Sequence, residues 1–263
     1  IGRDTMRRAL LLASAALVGG TLHRAYLREL GMPDERIFDG YDAVDNESFA
    51  RESSRWRETD APQPPCFLAS NRFIEKKNLF RLLSAYARYA HSATETEARP
   101  PWPLVLLGDG ELKTKLLAHA AGLGLAIHER APWEPAPHRE DRGSEARATL
   151  YLPGFRQIDE LPRFYAHAGA FVHASTTEQW GLVVNEAMAS GLPVIVSNRC
   201  GCAPDLVRDG ENGWTFDPFD EEGLAGLLAR MSGMEAAGGA AFGEAARRSI
   251  AECGPLRSAC GLE

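Results

Sequence analysis

The stretch Phe171–Asn198, FVHASTTEQWGLVVNEAMASGLPVIVSN, decides the fold. Its apolar start predicts a strand, which leads through a polar loop into a helical segment at Leu182–Ser190. Gly191 ends that helix, and Pro193 opens the buried strand PVIVS. A strand, a loop, a helix, a tight turn and a second strand in this order predict one unit of a parallel sheet covered by helices.

The same alternation extends toward the amino terminus. The predicted strands are Cys66–Ser70, Leu104–Leu107, Leu125–His128, Thr149–Leu152, Ala170–His173 and Pro193–Ser197. The predicted helices are Lys76–His91, Glu111–Ala121, Asp159–His167 and Leu182–Ser190, with one or two more in Glu221–Ser249. This order predicts an α/β domain, with a Rossmann-like parallel sheet covered by helices. Ligands of such sheets bind beyond the carboxyl ends of the strands, so candidate site residues should follow strands directly.

Two carboxylates stand eight residues apart at the loop-to-helix junction. Glu178 lies on the loop, and Glu186 lies about a turn and a half inside the helix. Between them, the backbone N–H groups of Gly181, Leu182 and Val183 point out of the amino end of the helix, where an anion is stabilised. Backbone donors for phosphate and two acids for hydroxyl groups predict binding of a nucleotide-linked sugar.

Two other strand ends carry candidate phosphate contacts. Arg72 and Lys77 follow the first strand of the domain, five residues apart, where both cations can converge on a diphosphate. Gly108 and Gly110 follow the second strand, where glycine lets the backbone turn and approach a ligand. A solvated basic loop and a purely structural turn are the alternatives for these two segments.

Phe155 and Arg156 follow Gly154 after the strand YLP. The backbone and the ring edge there predict a contact to a nucleotide base, although a core or rim position explains Phe155 equally well. His173 ends the strand before Glu178, and one histidine at such a place is more often a packed residue than a base.

Taken together, these segments resemble a known family. ASNRFIEKKNL, LLGDGEL, YLPGF, VHASTTEQWGLVVNEAMASGLPVIVS and GCAPDLVRDGENGWTFDP occur in the order of a family 4 (group 1) glycosyltransferase. They resemble the carboxy-terminal half of its GT-B fold over about residues 66–220. Glu178 and Glu186 match the E-x7-E motif of the family, and Arg72 with Lys77 match its phosphate-binding pair.

The resemblance implies a retaining, metal-independent hexosyltransferase that uses a nucleotide-diphosphate sugar and no cofactor. The sequence agrees, because it contains no D-x-D motif and no His/Cys cluster suited to a cation. Family frequency favours UDP over GDP and ADP. The resemblance places Glu186 on the ribose hydroxyls and Glu178 near the sugar. Glu178 either attacks the anomeric carbon or only holds sugar hydroxyls while the acceptor enters on the face that the diphosphate leaves, and we favour the second role.

The resemblance also implies a domain division. Residues 1–40 are predicted to be a remnant of the amino-terminal acceptor domain, 41–65 an interdomain linker and 66–263 the nucleotide-sugar-binding domain. The acceptor is left open among carbohydrates, lipid-linked molecules and small molecules, and the chain is expected to be either a fragment or a degenerate copy. The alternative function is a non-catalytic nucleotide-sugar-binding module that needs a partner chain.

Charge and composition restrict the partners and the location. A net charge of −7 argues against nucleic-acid binding, which needs a basic face. No apolar run reaches the ~18 residues of a membrane span, which leaves peripheral membrane contact open. The five cysteines lack framework spacing and predict reduced thiols in the cytoplasm. The start MRRALLLASAALVGG has the outline of a signal peptide, but we favour part of a strand–helix unit.

A dinucleotide oxidoreductase is disfavoured. The third glycine of G-x-G-x-x-G is absent after Gly108, and Lys113 occupies that region.

Overall fold

The computed structural model describes residues 3–10, 12–95, 100–134, 148–251 and 253. The helices are α1 (Arg3–Leu10), α2 (Thr21–Glu29), α3 (Asn46–Thr59), α4 (Leu79–Glu95), α5 (Lys113–Gly122), α6 (Leu161–His167), α7 (Leu182–Ala189), α8 (Ala203–Leu206), α9 (Glu221–Ser232) and α10 (Ala236–Ile250). The strands are β1 (Ala16–Val18), β2 (Ile37–Asp39), β3 (Phe67–Ser70), β4 (Leu104–Leu107), β5 (Ala126–His128), β6 (Thr149–Gly154), β7 (Ala170–His173), β8 (Val194–Ser197) and β9 (Gly213–Phe216).

Seven strands form one parallel sheet in the order β5-β6-β4-β3-β7-β8-β9. Every neighbouring pair in it is parallel. Helices cover both faces, so the predicted α/β class with a Rossmann-like parallel sheet is confirmed.

The core has two layers because successive strand residues point to opposite faces. Phe67 packs on one face with residues of α4, α5 and α9. Leu68 packs on the other face with residues of α3, α6, α7 and α10. Both side chains are almost completely buried.

The predicted strands agree with the structure to within two residues at either end. β9 was not among them, although its residues Gly213–Phe216 belong to one of the segments that carried the family resemblance. The predicted helix from Lys76 starts later, because a 3₁₀ turn occupies Glu75–Lys77 before α4. The tail contains two helices, α9 and α10.

The segment 41–65, predicted as a linker, contains α3. Asp45 caps this helix by accepting the amide of Ser48 at 2.9 Å. Ser53 is buried and donates to Ser190 at 2.9 Å, and Arg57 donates to the carbonyl of Ser190 at 2.7 Å. The segment is therefore packed against the sheet domain, and its role as a boundary between domains stays a prediction.

Strands β1 and β2 pair in parallel and, with α2, form a small amino-terminal unit. Within the start that was favoured as part of a strand–helix unit, α1 ends at Leu10 and β1 begins at Ala16. Asp205 of α8 accepts the amide of Thr21 at 3.1 Å and also its hydroxyl. A carboxylate at this position caps the amino end of α2 from outside the unit.

None of the described helices has the length and apolar character needed to cross a membrane. Cys66, Cys200 and Cys202 are buried thiols, and Cys260 lies outside the described residues.

Candidate functional site

The candidate site lies where the chain changes direction within the sheet. From β3 the chain continues to β4 on one side, and it later returns to β7 on the other side of β3. The segments that leave the carboxyl ends of β3 and β7 therefore diverge, and ligands of open α/β sheets bind in such a crevice. Lys77 and Glu178 follow these two strands.

Backbone hydrogen bonds hold the turn after β3 against the end of β4. The amide of Asn71 donates to the carbonyl of Leu107 at 3.0 Å, and the amide of Phe73 donates to the carbonyl of Asp109 at 2.8 Å. The 3₁₀ turn Glu75–Lys77 comes next. Backbone bonds to the end of β4 therefore fix the position of the 3₁₀ turn independently of its side-chain contacts.

The same turn is tied to the loop after β7. Asn78 is in the left-handed conformation, with φ 57° and ψ 34°. Its side-chain amide donates to the carbonyls of Ala174 at 3.1 Å and Pro218 at 2.7 Å. The amide of Thr176 donates to the carbonyl of Lys76 at 2.9 Å. Three strand ends are joined at this point.

The peptide groups around Glu178 bond to the turn after β8. The amide of Glu178 donates to the carbonyl of Arg199 at 3.3 Å, and its carbonyl accepts the amide of Gly201 at 3.0 Å. The carbonyl of Trp180 accepts the amide of Cys202 at 3.2 Å. The loop that carries Glu178 therefore has a defined backbone path.

Two lysines contact the carboxylate of Glu178. The Nζ of Lys76 lies 3.3 Å from Oε1, and the Nζ of Lys77 forms an ion pair with Oε2. The Nε2 of His173 lies 3.7 Å from Oε2 and 3.2 Å from the hydroxyl of Ser175. The side chains of Lys77 and Glu178 are each 12% exposed, so their ion pair is largely shielded from water, whereas the side chain of Lys76 is 37% exposed.

The side chains around Glu178 control the ionisation of its carboxyl group. The imidazole of His173 and the ammonium of Lys77 hold the pKa of Glu178 well below its ordinary value, against the opposing effect of burial. Burial lowers the pKa of His173, which favours its neutral form. The positive charge next to Glu178 therefore comes from the lysines, and the carboxylate is ionised near neutral pH.

The amino end of α7 borders the same cluster. Gly181 caps the helix with φ 108°, a conformation that favours glycine. The first N–H groups of an α-helix have no partner within it, so Leu182 and Val183 present amides at this end. The indole of Trp180 donates to the buried side chain of Asn185 at 3.0 Å and fixes the start of the helix.

Glu186 faces a different partner. Its Oε2 accepts the hydroxyl of Tyr165 at 2.7 Å. Burial raises the pKa of Glu186, and the hydrogen bond from Tyr165 only partly offsets this effect. Its other oxygen, Oε1, takes part in none of the hydrogen bonds among the described residues.

A cleft of about 610 Å³ separates the sheet domain from the amino-terminal unit. Of the predicted site residues, it is lined by Lys77, Glu178, Gly181, Leu182 and Val183. The opposite wall contains four polar or aromatic side chains, which are His23, Tyr26, Tyr41 and Asp42.

The other predicted residues lie outside this lining. Arg72 is exposed and forms no ion pair with any described residue. Phe155 is 66% exposed. Arg156 is held by Glu160 at 3.2 Å and Glu134 at 3.4 Å. Of the predicted pair of cations after β3, the structure therefore brings Lys77 to the acid after β7, whereas Arg72 lies outside the cleft lining and Arg156 already has acidic partners.

Gly108 and Gly110 lie close to other backbone atoms of the protein. A Cβ at Gly108, where φ is 127°, would lie 1.8 Å from the carbonyl oxygen of Asn71. A Cβ at Gly110 would lie 2.7 Å from the carbonyl oxygen of Phe73. Packing against the turn after β3 is a sufficient reason for both glycines, and contact with a ligand stays a prediction.

The sequence analysis missed three members of the site, namely Lys76, Asn78 and Tyr165. Lys76 is adjacent to Lys77, so charge alone could have identified it. Tyr165 lies inside α6 and belongs to no motif that would have marked it. In the described ranges, no group of three or more His, Cys, Asp or Glu could hold a metal ion.

Residues 140–249 match the family model of glycosyl transferases group 1. The sulfoquinovosyl transferase SQD2 of Arabidopsis thaliana is 33% identical over 140 residues, which are 45% of this chain and 26% of SQD2. The lipopolysaccharide core biosynthesis glycosyltransferase LpsE of Rhizobium meliloti is 32% identical over 168 residues, which are 64% of this chain and 39% of LpsE. The chain thus spans well under half the length of these two curated relatives.

Solved structures agree on the fold. Anabaena Alr3699/HepE in complex with UDP-glucose superimposes with a TM-score of 0.71 at 20% identity, covering 100% of this chain and 67% of that one. With the family match, this similarity confirms the predicted resemblance to group 1 glycosyltransferases and their GT-B fold.

Proposed function

We propose that this chain, which matches the group 1 glycosyltransferases over residues 140–249, acts as a retaining, metal-independent hexosyltransferase of family 4. It would transfer a sugar from a nucleotide-diphosphate donor to an acceptor of unidentified class. We favour UDP as the nucleotide and the cytoplasm as the location. The observation that carries the proposal is the meeting of Lys77, Glu178 and the amino end of α7 in one cleft. A cation, an acid and free backbone donors at a sheet crevice suit a sugar diphosphate.

The diphosphate is assigned to the cations after β3 and to the helix end. The guanidinium of Arg72, which pairs with no acid among the described residues, can bind two phosphate oxygens, and Lys77 adds a point charge beside the amides of Leu182 and Val183. Negative charge grows on the diphosphate as it leaves, so these donors would do what a metal ion does elsewhere. Loss of one preorganised donor typically costs ~3 kcal/mol, or about 10²-fold in rate.

The ribose and the base are assigned to the segments on either side. Oε1 of Glu186 is the oxygen proposed to accept ribose hydroxyls, while Tyr165 holds Oε2. The exposed ring of Phe155 and the adjacent backbone are proposed to contact the base, with Arg156 at the rim. Gly108 and Gly110 shape the crevice by keeping the turn after β3 close to the end of β4.

Glu178 is proposed to hold sugar hydroxyls rather than attack the anomeric carbon. Lys76 contacts its Oε1, and the low pKa of the carboxyl group makes it a weak nucleophile. The acceptor oxygen would bond to the anomeric carbon on the face from which the diphosphate departs. The bond between that carbon and the diphosphate oxygen breaks, and the acceptor proton passes to a diphosphate oxygen.

Ligand-induced thermal shifts with UDP-, GDP- and ADP-sugars test donor binding, because a ligand that binds the folded state raises the melting temperature. The Arg72→Ala/Lys77→Ala variant should abolish the shift. The matched control is Arg88→Ala/Lys115→Ala, which removes an exposed arginine and an exposed lysine away from the cleft. Wild-type binding by the first variant would show that the site is wrongly assigned.

The second candidate is a non-catalytic nucleotide-sugar-binding module that acts with a partner chain. The cluster of Lys77, Glu178 and the amino end of α7 suits binding of a nucleotide sugar, and this candidate requires no more than that. Transfer to any carbohydrate or lipid-linked acceptor by the purified chain alone would refute it. Donor binding without transfer, across an acceptor panel, would favour it.

A further inference from the structure

We propose that Lys76 is a positioning residue, which keeps Glu178 in place when Lys77 turns from Glu178 to the diphosphate. The inference rests on the proposed function, since it concerns how that site changes when a nucleotide sugar binds. It starts from a conflict between two roles of Lys77. The ammonium of Lys77 is paired with Glu178, yet the same ammonium is the one assigned to phosphate.

Lys76 resolves this conflict by its place on the carboxylate. It contacts Oε1, whereas Lys77 contacts Oε2. Consecutive residues of a 3₁₀ turn point about a third of a turn apart, so the two ammonium groups approach Glu178 from different directions. Departure of Lys77 therefore leaves the contact to Oε1 intact.

The backbone keeps Lys76 beside the loop of Glu178. Its carbonyl accepts the amide of Thr176 at 2.9 Å and the hydroxyl of Thr176 at 3.4 Å. Asn78, two residues later, binds the carbonyl of Ala174. These bonds involve no atom of the lysine ammonium groups, so they persist when Lys77 changes partner.

Among the described residues, the basic side chains that pair with the Glu178 carboxylate are Lys76, Lys77 and His173, and burial favours the neutral form of His173. A diphosphate on Lys77 would place negative charge next to Glu178, and repulsion would turn the carboxylate away from the sugar or protonate it. With Lys76 in place, Glu178 stays ionised and available to sugar hydroxyls.

The proposal separates sugar affinity from nucleotide affinity. Dissociation constants for UDP-glucose and UDP are measured by calorimetry, or for the GDP or ADP pair if the thermal screen selects that base. Lys76→Met should weaken binding of the nucleotide sugar by about 10-fold more than binding of the bare nucleotide. The reason is that the variant loses a charge-assisted contact to Glu178, which holds the sugar. Lys77→Met should weaken binding of both ligands. Lys76→Arg should keep most of the affinity for the nucleotide sugar that Lys76→Met loses.

The matched control for Lys76→Met is Lys113→Met. Lys113 pairs with Glu129 at 3.0 Å, away from the cleft, so Lys113→Met removes a similar ion pair and should change neither constant. An equal loss for sugar and bare nucleotide in Lys76→Met would make Lys76 a second phosphate ligand and overturn the proposal. An unchanged pair of constants would overturn it as well.

Titration of the ligand-free protein tests the Lys76 contact independently of donor binding. Carboxyl carbon NMR, assigned with Glu178→Gln, reports the pKa of Glu178. The pKa of Glu178 in Lys77→Met should stay below its pKa in the Lys76→Met/Lys77→Met double variant, because Lys76 still contacts Oε1. Equal values would overturn the proposal even if nucleotide sugars bind. Failure of the wild-type chain to bind any nucleotide sugar would instead refute the proposed function.

Discussion

The side-chain amide of Asn78 donates to the carbonyl of Ala174 across 3.1 Å, which joins the turn after β3 to the loop after β7. Asn78 is buried and left-handed, so its backbone and its side chain both serve this junction. The candidate site depends on the junction, because Lys77 precedes Asn78 directly and Glu178 follows Ala174 by four residues.

Asn78→Ala should lower the free energy of unfolding by about 2–4 kcal/mol. It leaves the carbonyls of Ala174 and Pro218 without their donor and adds left-handed strain at an alanine. Asn78→Gly should cost less, since glycine accepts this φ without strain. Urea denaturation measures both, and equal losses would show that backbone strain contributes nothing here.

Gly108→Ala should lower the free energy of unfolding by roughly 3 kcal/mol or more. The new methyl group would collide with the carbonyl of Asn71, at a φ that alanine rarely adopts. Gly226→Ala is the matched control, because its Cβ would meet nothing within 4 Å inside α9. That substitution should stabilise the protein by about 0.5–1 kcal/mol, as measured by the same denaturation.

Glu186→Gln should increase the free energy of unfolding at pH 7 and weaken nucleotide binding about 10-fold. Burial raises the pKa of Glu186, so the folded state holds a proton more tightly than the unfolded state and the ionised carboxylate destabilises the fold. The wild type regains this stability as the pH falls through the raised pKa, and the gain is complete below the unfolded value of 4.5.

The difference between Glu186→Gln and wild type should therefore shrink from pH 7 to pH 4 in urea denaturation. Glu244→Gln is the control, because this side chain is 60% exposed. A difference that stays constant with pH would contradict the assigned cause.

Asp205→Ala should increase amide hydrogen exchange in β1, α2 and β2 by about fivefold, while β3 and β4 stay protected. It removes the cap on Thr21, and loss of such a cap typically costs ~1 kcal/mol. Asp205→Asn keeps an acceptor oxygen and should have the smaller effect. Unchanged exchange in the amino-terminal unit of the alanine variant would mean that Asp205 does not hold it.

The strands were predictable because β3, β4, β7 and β8 are short apolar runs, bounded at one or both ends by glycine, proline or a polar loop. Helix α3 was not, because its packing uses few apolar side chains. Among its residues only Phe49 and Ser53 are buried, and Ser53 and Arg57 attach it by hydrogen bonds. A helix held in this way leaves no apolar stripe in the sequence.

The sequence also predicted that Lys77 and Glu178 would lie at neighbouring strand ends, since parallel strands end at one edge. It did not predict that they pair with each other. That pairing depends on side-chain conformations in the crevice, which motifs defined by ligand contacts do not describe. The bond from Tyr165 to Glu186 was equally hidden, because it joins side chains of the successive helices α6 and α7 that no sequence motif links.

The path of hydrogen bonds through the turn after β8 connects the two walls of the cleft. Gly201 and Cys202 bond to the segment of Glu178, and Asp205, three residues later, holds Thr21 of the amino-terminal unit. Thermodynamic linkage makes such a connection reciprocal. Any molecule that binds the amino-terminal wall and, by shifting Thr21, alters the affinity for a molecule beside Glu178 would be subject to this reciprocity. The second molecule then changes the affinity for the first by the same factor.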